Sequence, residues 1–288
     1  MHPFDFISPQ NLEELYKVLD DPGGQIIAGG TDLLPKIYKQ KTHPERIIDI
    51  SRIRELDYIH EENGQINIGS LTSFSSIAKN PLLGKYVPSL VKAANHIGSP
   101  MTRQRATLGG NIANASPAAD SVPPLLIHDS IVTLASLRGE RKLPLQQFLL
   151  SPGKTDLQPN EIVHHITIPK ITPPLGSEFL KIGARQGMII AIANAAVLIQ
   201  LNGQIKIEVI RIALGAVAPT TIRCQMTEEF LVNQKPSPEI IQEAAKMILR
   251  EITPISDLRG SESYRLKAAS VLFQRCLLSS IEQQTRIG

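Results

Sequence analysis

The chain has 288 residues, with 30 basic and 27 acidic side chains and 42% hydrophobic residues. This balance predicts a globular protein of two or three modules, and it excludes a disordered chain, a coiled coil and a nucleic-acid partner. Two cysteines are too few for a zinc or iron–sulfur site, so we predict no metal in this chain. No apolar run approaches the roughly 20 residues of a membrane span and no signal peptide is recognisable, which predicts a cytoplasmic protein.

The first predicted unit covers residues 1–60. Apolar residues recur at helical spacing over 11–20, and the short β-branched runs at 25–28 and 46–50 are typical of buried strands. With a strand before the helix and a short helix between the two runs, this order predicts a small α/β unit.

The second predicted unit covers residues 61–175. Strand patterns occur at 65–70, 130–135 and 161–169, and helical patterns at 72–79 and 89–97. Three prolines between residues 169 and 176 disfavour both a helix and a central strand. We therefore predict a domain boundary there, with residues 1–175 forming one domain of two subdomains.

The third predicted unit covers residues 176–288. Strand patterns at 177–182, 189–201 and 205–216 predict a three-stranded antiparallel sheet, because Asn202-Gly203 is a strong hairpin signal. Helical patterns follow at 226–233, 238–251 and 262–283. Strands followed by helices indicate an α+β fold.

Two stretches rich in small residues carry the functional signal. In the first, a buried-strand pattern runs into Gly29-Gly30 and then Thr31-Asp32. Paired glycines let main-chain N–H groups converge on an anion such as a diphosphate, although a tight strand-to-helix turn with Asp32 in the first helical turn explains the pattern equally well.

The second stretch, residues 106–120, contains Gly109-Gly110 among small hydroxyl and amide side chains. We interpret it as a long loop with no helix of its own, which is more often functional than an ordinary connection. Neither stretch has a G-x-G-x-x-G or P-loop pattern. Two such loops in successive modules predict a long ligand in the cleft between them, with its diphosphate held by main-chain donors from both sides.

These residues resemble a known family. Residues 28–33 and 107–111, together with Asp120, are similar to the double signature of the FAD-binding medium subunit of the xanthine dehydrogenase and carbon monoxide dehydrogenase family of molybdenum hydroxylases. The similarity extends from residues 1–6 through 97–105, 161–169 and 181–185 to 219–223, and so covers almost the whole chain.

The resemblance implies a two-subdomain FAD-binding fold of the vanillyl-alcohol oxidase type, followed by a C-terminal domain of the carbon monoxide dehydrogenase flavoprotein type. It implies that residues 26–33 and 107–111 line the FAD diphosphate, that Asp120 contacts ribityl or ribose hydroxyls, and that four further residues lie near the rest of the cofactor. The implied cofactor-binding residues are Ile26, Ile27, Ala28, Gly29, Gly30, Thr31, Asp32, Leu33, Ile97, Gly98, Thr107, Gly109, Gly110, Asn111, Asp120, Val163 and Lys181.

The resemblance also implies partners: a small subunit with [2Fe-2S] clusters, a large subunit with the molybdenum cofactor, and an external electron acceptor such as NAD. In this interpretation the chain is an oxidoreductase subunit with no catalytic residue of its own, and it does not hydroxylate substrate alone. Where relatives often carry an acid or an aromatic residue near the flavin, this chain has residues 187–190, Gly-Met-Ile-Ile. Two alternatives remain open at this point: a free-standing flavin oxidase or dehydrogenase, and a non-catalytic assembly module.

His164 and His165 are adjacent on a predicted strand. Side chains alternate between the two faces of a strand, so we predict that these two cannot bind one metal together.

Overall fold

The computed structural model describes residues 3–21, 23–171, 175–183 and 190–287. The first sixty residues contain a parallel sheet of three strands in the order β1-β3-β2. Its helix α1 begins where the Asn11 side chain accepts a hydrogen bond from the Glu14 N–H, and it buries Leu15 and Leu19. The elements are β1 (Asp5–Ile7), α1 (Leu12–Leu19), β2 (Gly24–Ile27), α2 (Leu33–Tyr38) and β3 (Arg46–Asp49), followed by a 3₁₀ turn at Arg54–Leu56.

The second subdomain is built on an antiparallel sheet of five strands in the order β4-β5-β10-β6-β7. Alternate residues of its central strands, such as Ile66, Val132 and Ile166, point into a core shared with short helices. The elements are β4 (Ile59–Glu62), β5 (Gln65–Gly69), α3 (Phe74–Lys79), α4 (Pro81–Tyr86), α5 (Pro88–His96), α6 (Pro100–Arg105), α7 (Leu108–Ala113), α8 (Val122–Ile127), β6 (Ile131–Ser136), β7 (Gly139–Pro144), α9 (Leu145–Phe148), β8 (Leu149–Ser151), β9 (Lys154–Thr155) and β10 (Ile162–Pro169).

The C-terminal domain has an antiparallel sheet whose two faces are both buried. Val197 and its alternate neighbours pack under α11 and α12, whereas Ala196 and Leu198 pack into the core of the second subdomain, beside α5 and α8. The sheet therefore joins the two domains. The elements are β11 (Gly176–Ile182), β12 (Ala193–Leu201), β13 (Ile207–Gly215), β14 (Ile222–Arg223), α10 (Gln225–Leu231), α11 (Pro238–Glu251) and α12 (Glu262–Ile287).

The mixed α and β content agrees with the sequence prediction, and three details differ from it. The C-terminal sheet has four strands, because residues 222–223 pair with β13 as a short edge strand. The stretch 106–120 contains a helix, α7, whose first turn is capped by Thr107. The interpretation of this stretch as a loop without a helix was therefore wrong.

The prediction for the two adjacent histidines was also wrong in its geometry. The register of β10 shifts between Val163 and His165, so the strict alternation of faces is lost. The rings of His164 and His165 meet with their Nδ1 atoms 2.8 Å apart. Within the described ranges, no group of three or more His, Cys, Asp or Glu side chains could hold a metal ion.

The helices of the described part of the chain include none that is both long enough and apolar enough to cross a bilayer. The predicted start of the second C-terminal strand at Ile189, and Arg185 and Gly187–Met188 of the resemblance, lie outside the described residues.

Candidate functional site

A cavity of about 340 Å³ lies between the first and second subdomains. Both small-residue stretches open onto it, as the sequence predicts. It is lined by Gln25, Ile26, Ile27, Ala28, Gly29, Gly30, Thr31, Asp32, Leu33, Ile50, Ser70, Leu71, Ala106, Thr107, Gly109, Gly110, Asn111, Ala113, Asn114, Leu157, Ile162 and Val163.

The first loop presents main-chain donors to this cavity. Strand β2 ends at Ile27, and Gly30 adopts φ +72°, a conformation that favours glycine. In the described part of the chain, the N–H groups of residues 29–32 have no hydrogen-bond acceptor. Gly29 and Gly30 are half-buried, whereas Thr31 and Asp32 are exposed at the start of α2. This group of free donors at the cavity wall suits an anionic ligand.

Gly29 fixes the first loop against the second subdomain. A Cβ atom built on Gly29 would lie 1.7 Å from the main-chain oxygen of Arg105 and 3.2 Å from the nitrogen of Ala106. The chain just before the second loop thus touches the backbone of the first. Only glycine allows the two backbones to approach this closely.

The second loop contributes space more than donors. The Gly109 N–H donates to the Ser70 oxygen at 2.9 Å, and the Gly110 N–H donates to Thr107 Oγ1 at 3.2 Å. A Cβ on Gly109 would meet Ser70 at 2.4 Å, whereas a Cβ on Gly110 would meet only Thr107 Oγ1, at 2.9 Å. Gly110 therefore has fewer close neighbours than Gly109.

A lysine links the two loops at the edge of the cavity. Lys36 Nζ lies 2.5 Å from the Asp32 carboxylate and donates to Asn114 Oδ1 at 2.9 Å. Asp32 precedes α2 without capping it, because its carboxylate is held by Lys36 instead. The contact joins the first subdomain to the end of α7.

A second polar group lies between the two domains. Lys181 Nζ donates to Asp120 Oδ2 at 2.6 Å and to the His96 oxygen at 2.7 Å, and Asn194 Nδ2 donates to Asp120 Oδ1 at 3.0 Å. Burial raises the pKa of Asp120, while the Lys181 ammonium and the Asn194 amide act in the opposite direction. Asp120 and Lys181 are thus a buried ion pair that bridges the domains.

The segment 97–98 lies at the start of α6. Gly98 adopts φ +47°, and Arg103 Nη1 donates to the main-chain oxygens of Ile97 and Gly98, at 3.1 Å each. Arg103 therefore shapes this loop.

The structure brings most of the residues implied by the resemblance to one cavity. Thirteen of them line it, and Ile97, Gly98, Asp120 and Lys181 do not. Nine lining residues are not among the individual cofactor-binding residues implied by the resemblance, although Ala106, Ala113 and Asn114 lie in the stretch 106–120: Gln25, Ile50, Ser70, Leu71, Ala106, Ala113, Asn114, Leu157 and Ile162. Several of these are next to a residue of the two motifs, a signal that could have found them; Ile50, Ser70, Leu71 and Leu157 are brought in only by tertiary packing.

The described residues fit a dinucleotide. Four main-chain amides without a partner in the described part of the chain suit phosphate oxygens, and apolar side chains at Ile26, Leu71 and Ile162 line the walls. The fold and the cavity together are those of a protein with a ligand-sized cavity between two subdomains and a further domain packed on the second one.

Comparisons with known proteins identify the family. Residues 2–171 match the FAD binding domain in molybdopterin dehydrogenase, and residues 178–280 match the CO dehydrogenase flavoprotein C-terminal domain. The putative xanthine dehydrogenase FAD-binding subunit of Escherichia coli strain K12 is 32% identical, over 96% of this chain and 97% of that protein. The carbon monoxide dehydrogenase medium chain of Hydrogenophaga pseudoflava is 31% identical, over 95% of this chain and 96% of that protein.

Solved structures agree. Carbon monoxide dehydrogenase from Hydrogenophaga pseudoflava superposes with a TM-score of 0.94 at 30% identity, covering 99% of this chain and 100% of that chain. Quinoline 2-oxidoreductase from Pseudomonas putida 86 gives a TM-score of 0.92 at 30% identity, covering 98% of each chain.

The chain belongs to the family of FAD-binding medium subunits of the xanthine dehydrogenase and carbon monoxide dehydrogenase type of molybdenum hydroxylases. The family and the cofactor FAD, both expected from the resemblance, are thereby confirmed, as is the two-domain fold of the carbon monoxide dehydrogenase medium subunit. The roles of individual residues toward FAD stay predictions.

Proposed function

We propose that this chain is the electron-transfer subunit of a multisubunit molybdenum hydroxylase. It takes electrons from the [2Fe-2S] clusters of a small partner subunit and passes them to an external acceptor such as NAD. Substrate is hydroxylated at the molybdenum cofactor of a large partner subunit. The relatives support this proposal because they are named as medium chains or FAD-binding subunits of dehydrogenases.

One observation carries the proposal: loops from two subdomains line a single cavity, with unpartnered N–H groups at residues 29–32 in the described part of the chain. When bound, FAD supplies the redox chemistry that connects one-electron clusters to a two-electron acceptor. The first loop would then hold the diphosphate through its amides, and Lys36 neutralises the Asp32 carboxylate beside it.

The polar group between the domains serves the remainder of the cofactor in this proposal. Asp120 receives hydroxyl groups of the ribityl or ribose part, and Lys181 supplies positive charge near the ring. Ile97, Gly98 and Val163 line this part of the site. We further infer the vanillyl-alcohol oxidase type of fold, the division of the chain near residues 60 and 175, and a cytoplasmic location.

The first test is the colour of the purified chain. We expect a yellow protein whose flavin is released by denaturation and identified by chromatography as FAD, not FMN. A colourless protein that cannot be reconstituted with FAD would favour the non-catalytic assembly module.

The second test is co-purification from the native source. We expect molybdenum and iron in the preparation with two associated chains, and neither metal in this subunit expressed alone. The isolated FAD-loaded chain should oxidise no organic substrate. Turnover of such a substrate by the isolated chain would favour a free-standing flavin oxidase or dehydrogenase.

A further inference from the structure

Three residues that pair in register form a row across the C-terminal sheet, next to Asp120 of the second subdomain. Lys181 on β11 pairs in register with Asn194 on β12, and Asn194 pairs with Gly215 on β13. Side chains alternate along a strand, so Asn194 lies on the same face as Ala196 and Leu198, the face packed on the second subdomain. Lys181 and Asn194 of this row contact Asp120, which lies two residues before α8 in the second subdomain.

Asn194 and Lys181 each donate a hydrogen bond to a different oxygen of the Asp120 carboxylate. The Asn194 amide donates to Oδ1 at 3.0 Å and the Lys181 ammonium donates to Oδ2 at 2.6 Å. Asn194 is completely buried and Asp120 is 7% exposed, so water does not replace either donor. Each carboxylate oxygen thus has one protein donor and still has a lone pair for a ligand.

The side-chain oxygen of Asn194 indicates why the hydrogen bond from its nitrogen to Asp120 is important. Within the described ranges, its Oδ1 is buried without any hydrogen-bond partner. A Cβ built on Gly215 would lie 2.2 Å from this oxygen, so glycine is the residue that leaves room for it. An unpaired buried acceptor is unfavourable, and the hydrogen bond to Asp120 is what the side chain gains in return.

We propose that Asn194 is a positioning residue for the FAD site, whose amide fixes the Asp120 carboxylate against Lys181 in the orientation that meets the hydroxyl groups of the cofactor. This inference rests on the proposed function, in which Asp120 receives those hydroxyls. Gly215 is part of the same device because it makes room for the amide.

The proposal predicts opposite pH trends in two measurements. The groups that face Asp120 are Lys181 on β11, Asn194 on β12 and His96 at the end of α5. Burial raises the pKa of Asp120, and loss of the Asn194 donor would raise this pKa further. FAD affinity, which needs the ionised carboxylate, is then lost as the pH falls. In the FAD-free protein without the Asn194 donor, the free energy of unfolding falls as the pH rises, because the ionised Asp120 carboxylate is buried with one donor fewer.

The test uses Asn194→Leu, which keeps the size of the side chain and removes the amide. FAD binding is measured by flavin fluorescence, and unfolding of the FAD-free protein by heat, over a series of pH values from acidic to alkaline. We expect the affinity deficit relative to the unsubstituted protein to grow toward the acidic end of the series, by roughly tenfold for each unit by which the substitution raises the pKa of Asp120. We expect the stability deficit to be larger at the higher pH.

Two further variants complete the test. Gly215→Ala should displace the Asn194 amide and reproduce both pH trends. Val197→Ala removes packing from the opposite face of the same strand and should give deficits that do not change with pH. Asn194→Leu deficits that are independent of pH, or a Gly215→Ala protein with the original pH profiles, would overturn the proposal. If the unsubstituted chain binds no FAD, the proposed function fails, and the unfolding measurements still decide the role of Asn194.

Discussion

The four glycines of the two loops have different structural roles at the cavity. Gly29 brings two backbones into contact, Gly30 supplies a positive φ, Gly109 packs on Ser70, and Gly110 has a single close neighbour, the Thr107 hydroxyl. The consequence is that substitutions of neighbouring glycines should have different effects, although the sequence presents them as two equivalent pairs.

Gly110→Val should weaken FAD binding while the protein stays folded. The added methyl groups would project beside Thr107 Oγ1 into the space intended for the cofactor. We expect the dissociation constant, measured by fluorescence titration, to rise at least about tenfold, which corresponds to about 1.4 kcal/mol. The matched control is Gly84→Ala in α4, where a Cβ meets nothing within 4 Å; it should leave FAD affinity unchanged.

Gly29→Ala should destabilise the whole FAD-binding domain. Its Cβ would lie 1.7 Å from a main-chain oxygen, which no side-chain rotation can relieve. We expect a loss of about 3 kcal/mol or more in the free energy of unfolding, because strain of this kind belongs to the severe class of substitutions. Chemical denaturation measures it, and a Gly29→Ala protein as stable as Gly84→Ala would contradict the observed contact.

At the residue scale the sequence predicts which residues line the cavity better than what they do there. The two glycine pairs are found by their pattern of small residues, and the resemblance extends them to residues 26–33 and 107–111. The partners Arg105 and Ser70 are not, because they come to these glycines through the packing of other elements. The Asn194 amide is missed for the same reason: it lies within an ordinary strand pattern, and only strand register shows that it faces Asp120.

At the scale of elements, the end of α8 connects the two domains. Arg223 of β14 donates to the Leu126 oxygen at 3.0 Å and pairs with Asp129 at 2.7 Å, and Arg211 of β13 also pairs with Asp129 at 2.7 Å. Positive charge is favourable at the C-terminal end of a helix. Arg223 also pairs with the buried Glu228 at 2.7 Å, so a single side chain holds groups from both domains.

Arg223→Met should lower the free energy of unfolding by about 3–5 kcal/mol, because it leaves Glu228 without its partner in a buried position. Equilibrium denaturation monitored by circular dichroism measures the change. Lys246→Met is the control: its ion pair with Glu243 is exposed, and its loss should change stability by less than about 1 kcal/mol. Equal effects of the two substitutions would contradict the assignment of Arg223 to the junction.

Elements with strong periodicity are predicted well and those with weak propensity are not. The pattern over 238–251 predicts α11 with its observed ends. Helix α7 is missed because Gly109 and Gly110 disfavour a helix; the Thr107 cap and the packing of Gly109 on Ser70 overcome that preference. Strand β14 is missed because two residues show no period.

At the scale of the whole molecule, a buried histidine links acidity to stability. His128 follows α8 at the domain junction, is 1% exposed, and neither of its ring nitrogens has a hydrogen-bond partner within the described ranges. Burial, together with the nearby Arg211 charge, lowers its pKa to about 3. The unfolded chain therefore binds a proton at this residue at a higher pH than the folded chain does.

The stability that depends on neutral His128 is present above about pH 6.5 and is lost as the pH falls toward 3. Within that window the loss approaches about 1.4 kcal/mol per pH unit. We expect His128→Leu to remove this part of the pH dependence, as measured by the difference in melting temperature between the two proteins from neutral to acidic pH. Parallel profiles for the two proteins would show that His128 does not contribute.

The hairpin between β12 and β13 follows from the sequence, because Asn202-Gly203 lies in the connection between these strands. The packing between units does not follow from it. The C-terminal sheet is buried on both faces, and the alternation of Ala196 and Val197 between two cores is visible only once the second subdomain is in place.

The contact between the first two subdomains affects how long the protein survives degradation in the cell. Gly29 and the chain at Arg105 meet there, beside the cavity, so a ligand that contacts both subdomains holds them together while it is bound. By mass action, such a ligand stabilises the folded protein, and the gain in free energy of unfolding grows with the logarithm of its concentration. The abundance of this subunit should therefore follow riboflavin supply, with starved cells degrading the empty chain first.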